Sequence, residues 1–374
     1  MSRRPAAGDT ILVVGDVIDD IVVRPEHPPV PDADTPSEIT ACFGGSAANQ
    51  AAWLGTLGVP VRFAGRVGTG DAARHTAALR ACGVDARLAA DPSTPTGQIV
   101  VLAVDGRRDM YTNRGANLNL RPADLPDTLL DDVTLLHVTG YTLFHPGPRA
   151  AITTLMTRAR ERGIPLSTDP SSATHLTPPT DYLTHTQGAR LIFPNLTEAH
   201  LLAAPPPASP PPAPAQSTAG PPATHRRPTT LSPAPGPAET PEPAATIADD
   251  PESARALAEA PKSTATPATP PGLRGTLDEA YAVADVLVRT YEVVALKLGP
   301  AGALLATADG LRLHHRAPAS GVVDPTGAGD AFCAGFLASW TGGRDLATCL
   351  TGAQQAAATA LTTAGARPRI RSPR

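Results

Sequence analysis

Aromatic side chains are scarce in this chain: Trp, Tyr and Phe together make up 3% of its 374 residues. Few rings are therefore on hand to stack against a nucleobase, with Tyr111 and Phe43 as the candidates. Charge of one sign is also missing. A net charge of −4 with scattered lysines and arginines provides no basic face, which excludes nucleic acid as a partner. No run of 18 apolar residues occurs, so no membrane-spanning helix is expected. The first residues, MSRRPAAGDT, carry two arginines but no apolar segment of the kind a secretory signal needs. The four cysteines, Cys42, Cys82, Cys333 and Cys349, lie far apart without paired spacing, which predicts free thiols and a cytoplasmic setting. The histidines, His314 and His315 included, show no metal-ligand spacing. Neither G-x-x-x-x-G-K-[ST] nor a G-x-G-x-x-G after the first strand is present, which excludes a P-loop nucleotidase and a dinucleotide dehydrogenase.

Proline is the residue in excess, 43 in all, and it is unevenly spread. About 20 of the 43 fall between Pro205 and Pro271, among Ala, Thr and Ser, with no aromatic residue and no sustained apolar period. Such a composition cannot bury enough apolar surface to offset chain entropy, so 203–272 is expected to be a largely disordered insertion with a weak helical island at 251–260. A surface loop of that length is cheap, because closure entropy grows only logarithmically. Residues 1–202 and 273–374, about 300 in number, are enough for one large core.

Continuous β-branched runs at 10–15, 61–65, 135–140, 164–168, 190–193 and 293–298 read as strands buried on both faces. Ala- and Arg-rich helical segments such as 149–162 and 277–290 separate them. The alternation predicts a three-layer α/β/α domain with a mostly parallel sheet. Two regions alternate with period two instead: 20–23 with 37–43, and 98–104 turning at Asp105-Gly106 into 107–113. They predict a small antiparallel lid, with strands within about 16–43 and 97–114.

Two clusters carry chemistry. In Val323-Asp324-Pro325-Thr326-Gly327-Ala328-Gly329-Asp330, a Gly-rich turn leads into an apolar helix whose first N–H groups are unpaired and carry the positive end of the dipole. That is an anion cradle. Asp330, held ionised by the same dipole, stands where it could take a proton from an alcohol attacking a phosphate. The same residues also read as a Gly-rich loop with a first-turn acid that stabilises the helix. In Phe43-Gly44-Gly45-Ser46-Ala47-Ala48-Asn49, paired glycines open a helix of small residues. The Asn49 amide there can both donate to and accept from sugar-like hydroxyls, although close helix–sheet packing would select similar residues.

In this order, the two clusters resemble the signature regions of the ribokinase-like (PfkB-type) carbohydrate and nucleoside kinases. The likeness extends to Gly15–Asp20, Arg114-Gly115-Ala116-Asn117, Asn195-x-x-Glu198, Lys297-Leu-Gly-Pro-Ala-Gly302 and Ala364-Gly365-Ala366. The resemblance implies that Asp330 is the catalytic base, with Gly327, Ala328 and Gly329 as the anion hole. It implies that Asp20, Gly44, Gly45 and Asn49 bind substrate hydroxyls. Asn195 and Glu198 match an element that handles Mg2+ and phosphate, although Asn followed three residues later by Glu is also an ordinary capping box. Lys297, Gly299 and Gly302 match the loop that meets ATP, and Asp324 and Thr326 match positions that hold K+. A homodimer joined through the lid fits the same pattern.

The departures bear on the substrate. Ser46 stands where ribokinases often carry lysine and Ile18 where they carry a polar ribose contact, which argues against ribose itself. Pro325 stiffens the turn of the Asp330 motif. Gly68-Thr-Gly-Asp71 lacks the following glycine usual in the family and is given no role. Asp169, just before Pro170, reads equally as a site edge or a turn former. Cys333 reads as a small buried filler. The expected activity is ATP-dependent phosphorylation of a hydroxymethyl group on a small sugar. The signature cluster around Gly45 holds no Lys or Arg to pair with a sugar phosphate, so the acceptor is expected to be unphosphorylated. The alternatives are a nucleoside or pseudouridine-type kinase, or an inactive relative that senses a ligand or binds partners through its proline-rich segment.

Overall fold

The computed structural model describes residues 10–104, 107–176, 178–204, 271–318 and 321–368. In chain order its main elements are β1 (Thr10–Val14), β2 (Ile18–Pro25), β3 (Ser37–Gly44), α1 (Ser46–Thr56), β4 (Val61–Gly68), α2 (Ala72–Ala81), β5 (Val84–Asp91), β6 (Thr96–Val104) and β7 (Arg107–Gly115). There follow β8 (Val133–Thr139), α3 (Pro146–Glu161), β9 (Leu166–Asp169), α4 (Pro179–His185), β10 (Leu191–Ile192) and α5 (Leu196–Ala203). The chain closes with α6 (Pro271–Leu287), β11 (Val293–Lys297), β12 (Ala303–Thr307), β13 (Arg312–His315), α7 (Ala328–Thr341) and α8 (Leu346–Leu361). The Asp105-Gly106 turn, the helical island at 251–260 and nearly all of the insertion expected at 203–272 lie outside the described residues.

Nine strands form the main sheet in the order β13-β12-β11-β10-β9-β8-β1-β4-β5. It is parallel from β11 to β5 and antiparallel only at the β11–β12–β13 edge. Because successive side chains of a strand point to opposite faces, the unbroken apolar runs feed two cores at once. Leu12 and Val14 of β1 join one core with α3 and α6, while Ile11 and Val13 join the other with α1, α7 and α8. This is the three-layer arrangement the runs predict.

Four strands form the lid in the order β3-β2-β6-β7. The two expected hairpin pairs, β2–β3 and β6–β7, are antiparallel. The lid as a whole is mixed rather than antiparallel, because β2 and β6 pair in parallel from Ile18↔Gly97 to Val23↔Leu102. Each of these strands follows a strand of the main sheet, β1 and β5 respectively, and so enters the lid in the same sense. Asp71 serves this junction: Thr96 Oγ1, at the start of β6, donates to Asp71 Oδ2 at 2.7 Å.

Candidate active site

Parallel strands end at one edge of the sheet, and the loops beyond them converge there. Asp16 follows β1, Asp169 closes β9 and Lys297 closes β11. Against this edge lie the N-termini of α1 and α7, which bring the two sequence clusters together.

Asp330 stands in the first turn of α7. Ser46 Oγ donates to its Oδ1 at 2.7 Å, Gln50 Nε2 to the same oxygen at 3.2 Å, and Asn49 Nδ2 to Oδ2 at 3.1 Å. Three donors from consecutive turns of α1 thus converge on one carboxylate. The sequence expectation that the dipole holds Asp330 ionised needs correction. Burial raises its pKa to about 7, the three hydrogen bonds work the other way, and nearby Asp169 adds to the rise.

The glycines ahead of α1 are there for close approach. A Cβ on Gly44 would fall 2.2 Å from a carboxylate oxygen of Asp20. Gly45 has φ 89°, in the left-handed region that a side chain disfavours, and caps α1 without a side chain. Asp16 takes over the capping from outside the helix, accepting from Ser46 N at 3.3 Å and Ala47 N at 3.2 Å and pairing with Arg114 at 3.2 Å. Asp20 is raised to about 7 by burial and by the Asp16 carboxylate, against the opposing pull of Arg367.

On the far side of α7, a cavity of about 670 Å³ is lined by Lys297, Gly299, Gly302, Ala328 and Gly329, among others. A Cβ on Gly329 would meet only the Lys297 side chain, at 3.7 Å, so packing does not demand glycine there and a ligand can approach the backbone. Gly327 differs. Its φ is 78° and a Cβ would fall 2.5 Å from the Ala366 carbonyl oxygen. Lys297 Nζ reaches Asp169 Oδ1 at 3.1 Å. Burial works against this ammonium, but the Asp169 carboxylate, with Cys333 and Glu198, outweighs it and lifts its pKa above the usual lysine value.

Asn195 and Glu198 do not line that cavity among its described walls. They form the capping box of α5: Asn195 N donates to Glu198 Oε2 at 2.8 Å and Glu198 N to Asn195 Oδ1 at 2.9 Å. Glu198 is nevertheless buried, and burial together with Asp169 raises its pKa against the pull of Lys297.

A smaller pocket of about 220 Å³ lies between the lid and the Asp330 loop, lined by Asp20, Arg24, Arg108, Asp324 and Thr326, among others. Asp324 accepts from Thr326 N at 2.9 Å and Gly365 N at 3.1 Å, with Arg24 and Arg108 at 3.9 and 3.8 Å. Burial works against its charge, yet these hydrogen bonds and Arg108 hold the carboxyl below its usual range.

Several site residues carried no clear signal in the sequence. Asp169, which reads equally as a turn former, also accepts from Gln50 Nε2 at 3.1 Å and so joins the Lys297 side to the Asp330 side. Its position at a strand end was its only mark. Asp16 and Gln50 lay within or beside the two recognised stretches without being singled out, and Arg367 had no mark at all. Cys333 is fully buried with its thiol pKa pushed well up by burial, consistent with a filler role. Among the described residues no group of three His, Cys, Asp or Glu side chains could hold a metal by itself. No helix among them is long and apolar enough to cross a membrane.

The chain thus combines a mostly parallel sheet between two helical layers, a four-stranded lid and a glycine turn that sets Asp330 in the first turn of α7. Residues 9–211 and 256–372 match the profile described as pfkB family carbohydrate kinase, and the chain belongs to that family. The Bifunctional protein HldE of Pseudomonas savastanoi pv. phaseolicola is 33% identical over 202 residues, covering 50% of this chain and 39% of that protein. Fructokinase-1 of Oryza sativa subsp. japonica is 33% identical over 172 residues, 44% of this chain and 52% of that one. The chain thus matches about half or less of the length of these curated relatives. Among solved structures, adenosine kinase from Sinorhizobium meliloti has a TM-score of 0.69 at 22% identity, covering 97% of this chain and 96% of that one. An Escherichia coli protein described as a ribokinase II, solved with ATP and Mg2+, has a TM-score of 0.69 at 21% identity and coverage of 96% and 94%. At these identities the structural likeness concerns the fold.

Proposed function

We propose that the chain transfers the γ-phosphoryl group of ATP to a hydroxymethyl group of a small, unphosphorylated sugar, with Asp330 as general base. The observation that carries this reading is the place of the Asp330 carboxylate: at the mouth of α7, ringed by donors from α1 and linked through Gln50 and Asp169 to Lys297. In the step itself, the acceptor hydroxyl gives its proton to Asp330 as its oxygen bonds to the γ-phosphorus. The bond from phosphorus to the ADP oxygen breaks, and ADP leaves with the electron pair. The N–H groups at 327–329 and the Lys297 ammonium meet the charge on the phosphoryl oxygens. With a pKa near 7, Asp330 is matched to a proton transfer at neutral pH.

The donors near Lys297 suit Mg2+. Glu198 and Asp169 are buried carboxylates that repel each other, offset within the chain by Lys297, and a hard divalent ion takes oxygen ligands. Glu198 and Asp169, neither of which is among the described residues lining the cavity of about 670 Å³, are the carboxylates near Lys297 that would hold the ion. Bound there, Mg2+ would neutralise phosphate charge. A monovalent cation beside Asp324 and Thr326 does not fit as well and is not part of the reading, because backbone N–H groups and two arginines already meet the charge of Asp324.

Arg24 and Arg108 face Asp324 rather than standing unpaired in the lid pocket, which supports a neutral acceptor. The aromatic side chains offer a base little room. Phe43 is flanked by Arg74 and Arg367 at 5.3 and 5.2 Å, Tyr141 is covered by Arg114 at 3.8 Å, and Tyr111 is 62% exposed on β7. This favours a sugar over a nucleoside, and the complete Asp330 constellation favours catalysis over a purely sensing role. A lid-to-lid homodimer belongs to the same reading, with Ile39, Met110 and Tyr111 exposed on lid strands.

The test is Asp330→Asn in a coupled ATPase assay across a panel of sugars and nucleosides. The variant should keep both KM values within about threefold while kcat falls roughly 10²–10⁴-fold. Turnover near the unsubstituted rate would remove Asp330 as the base.

A further inference from the structure

The segment after α8 touches several parts of the site within four residues. Gly365 N donates to Asp324, the Ala366 backbone lies against Gly327, and Ala366 O accepts from Trp53 Nε1 at 3.0 Å. Arg367 then turns inward, its Nη2 donating to Gly44 O at 2.9 Å and its Nε to Asn49 Oδ1 at 3.2 Å.

The second bond has a chemical consequence. A side-chain amide can be placed two ways, and its neighbours decide which. A guanidinium has donors only, so the Asn49 atom that faces it must be the oxygen. The NH2 group is thereby turned the other way, toward Asp330 Oδ2 at 3.1 Å. A flipped amide would set NH2 against guanidinium and oxygen against carboxylate, two repulsive contacts in place of two hydrogen bonds. Burial pulls the Arg367 pKa down to about 10, so the cation is kept in place against a desolvation penalty.

We propose that Arg367 is a positioning residue for phosphoryl transfer: it locks the Asn49 amide so that its NH2 group holds the Asp330 carboxylate in place. The proposal rests on Asp330 being the base. The groups around that carboxylate are Ser46, Asn49 and Gln50 of α1, Asp169 of β9, Asp20 of β2, Cys333 one turn along α7 and, acting through space, Arg367 and Tyr141. Of these, Asn49 alone is oriented from behind by Arg367. Loss of the amide donor removes an interaction that favours ionised Asp330, so its titration moves to higher pH.

The experiment compares Arg367→Met, Arg367→Lys, Asn49→Ala, the Met/Ala double variant and Asp330→Asn, with kcat, both KM values, the pH profile of kcat and the thermal midpoint measured for each. Arg367→Met should lower kcat by about tenfold with ATP KM nearly unchanged and move the acid limb upward in pH. Lysine, which keeps a cationic donor, should restore part of both. In the Asn49→Ala background, Arg367→Met should change kcat by less than about twofold, since one residue acts through the other. A folded Arg367→Met protein with an unmoved acid limb overturns the proposal, as do additive effects in the cycle. Failure of both Arg367 variants to fold assigns the residue to the stability of the C-terminal segment and overturns it too. An active Asp330→Asn enzyme sinks the base assignment instead, which keeps the two failures apart.

Discussion

Lys297 Nζ lies 3.1 Å from Asp169 Oδ1, and Asp169 Oδ2 in turn accepts from Gln50 Nε2 at 3.1 Å, so this carboxylate joins the cavity beside β11 to the helix that holds Asp330. Asp169 and Glu198 are both buried, and Lys297 is the cation that offsets them. Lys297→Met should therefore cost about 3–5 kcal/mol of stability near pH 7.5, the range for breaking a buried pair from one side. Protonation relieves a buried carboxylate left without its cation, and burial already raises the Glu198 pKa, so the variant should recover stability as pH falls. Urea unfolding at pH 7.5 and 5.5 checks this. An equal deficit at both values would speak against the charge explanation.

Activity and stability should respond to pH in opposite directions. Asp330 must be ionised to accept a proton, so kcat/KM for the sugar should fall as pH drops below about 7. Asp330 and Asp20 both stand near 7 when folded against 3.8 when unfolded. A raised carboxylate contributes stability that is fully present below its unfolded pKa and is lost as pH rises through the folded one. Between about pH 4 and 7 these two groups should therefore lower stability as pH rises, and Asp20→Asn should flatten that slope. Denaturant melts across the window, with the rate profile measured in parallel, provide the check.

Two glycines two residues apart should fail in different ways. Gly327 has φ 78° and its missing Cβ would strike the Ala366 backbone, so Gly327→Ala should cost about 1–3 kcal/mol of stability. Gly329→Val puts its side chain into the open space beside Lys297. It should leave the thermal midpoint within a few degrees while raising ATP KM and lowering kcat at least tenfold. Matching stability losses in the two variants would contradict the geometry.

Because the charge of Asp324 is met inside the chain, rates in potassium and in tetramethylammonium at equal ionic strength should agree within about twofold. Strong activation by potassium would restore the cation site that the family resemblance implies.

If copies join through the lid, Met110→Glu and Ile39→Lys should shift sedimentation from dimer to monomer, since these side chains are 65% and 66% exposed on lid strands. A wild-type monomer at micromolar concentration would dismiss the dimer.

Much of the architecture could be read from local pattern. The unbroken apolar runs of β1, β8 and β11 imply strands covered on both faces, because each feeds two cores. The Asp330 motif and the Gly44-Gly45 cluster were legible because a glycine turn ahead of a helix has a meaning within ten residues of chain. The Asn195-x-x-Glu198 pattern was ambiguous for the same reason: a capping box is local, and whether Glu198 also faces Lys297 is not.

What the sequence by itself determined is therefore the six inner strands of the sheet, the layering and the two glycine loops, which follow from side-chain period and backbone freedom over short spans. The edge strands β5, β12 and β13 were not among the strands read from it. Only the tertiary structure decided how those parts address one another. It set β2 parallel to β6, paired Asp324 with two lid arginines, brought Asp169 to Lys297 and carried Arg367 to Asn49 across 318 residues of sequence. It also moved Asp330 from an ordinary carboxylate to one titrating near 7, because burial is a property of surroundings assembled from distant segments. Contacts between residues so far apart in the chain leave no periodic trace, since either partner is locally compatible with many neighbours and only the path of the folded chain selects one.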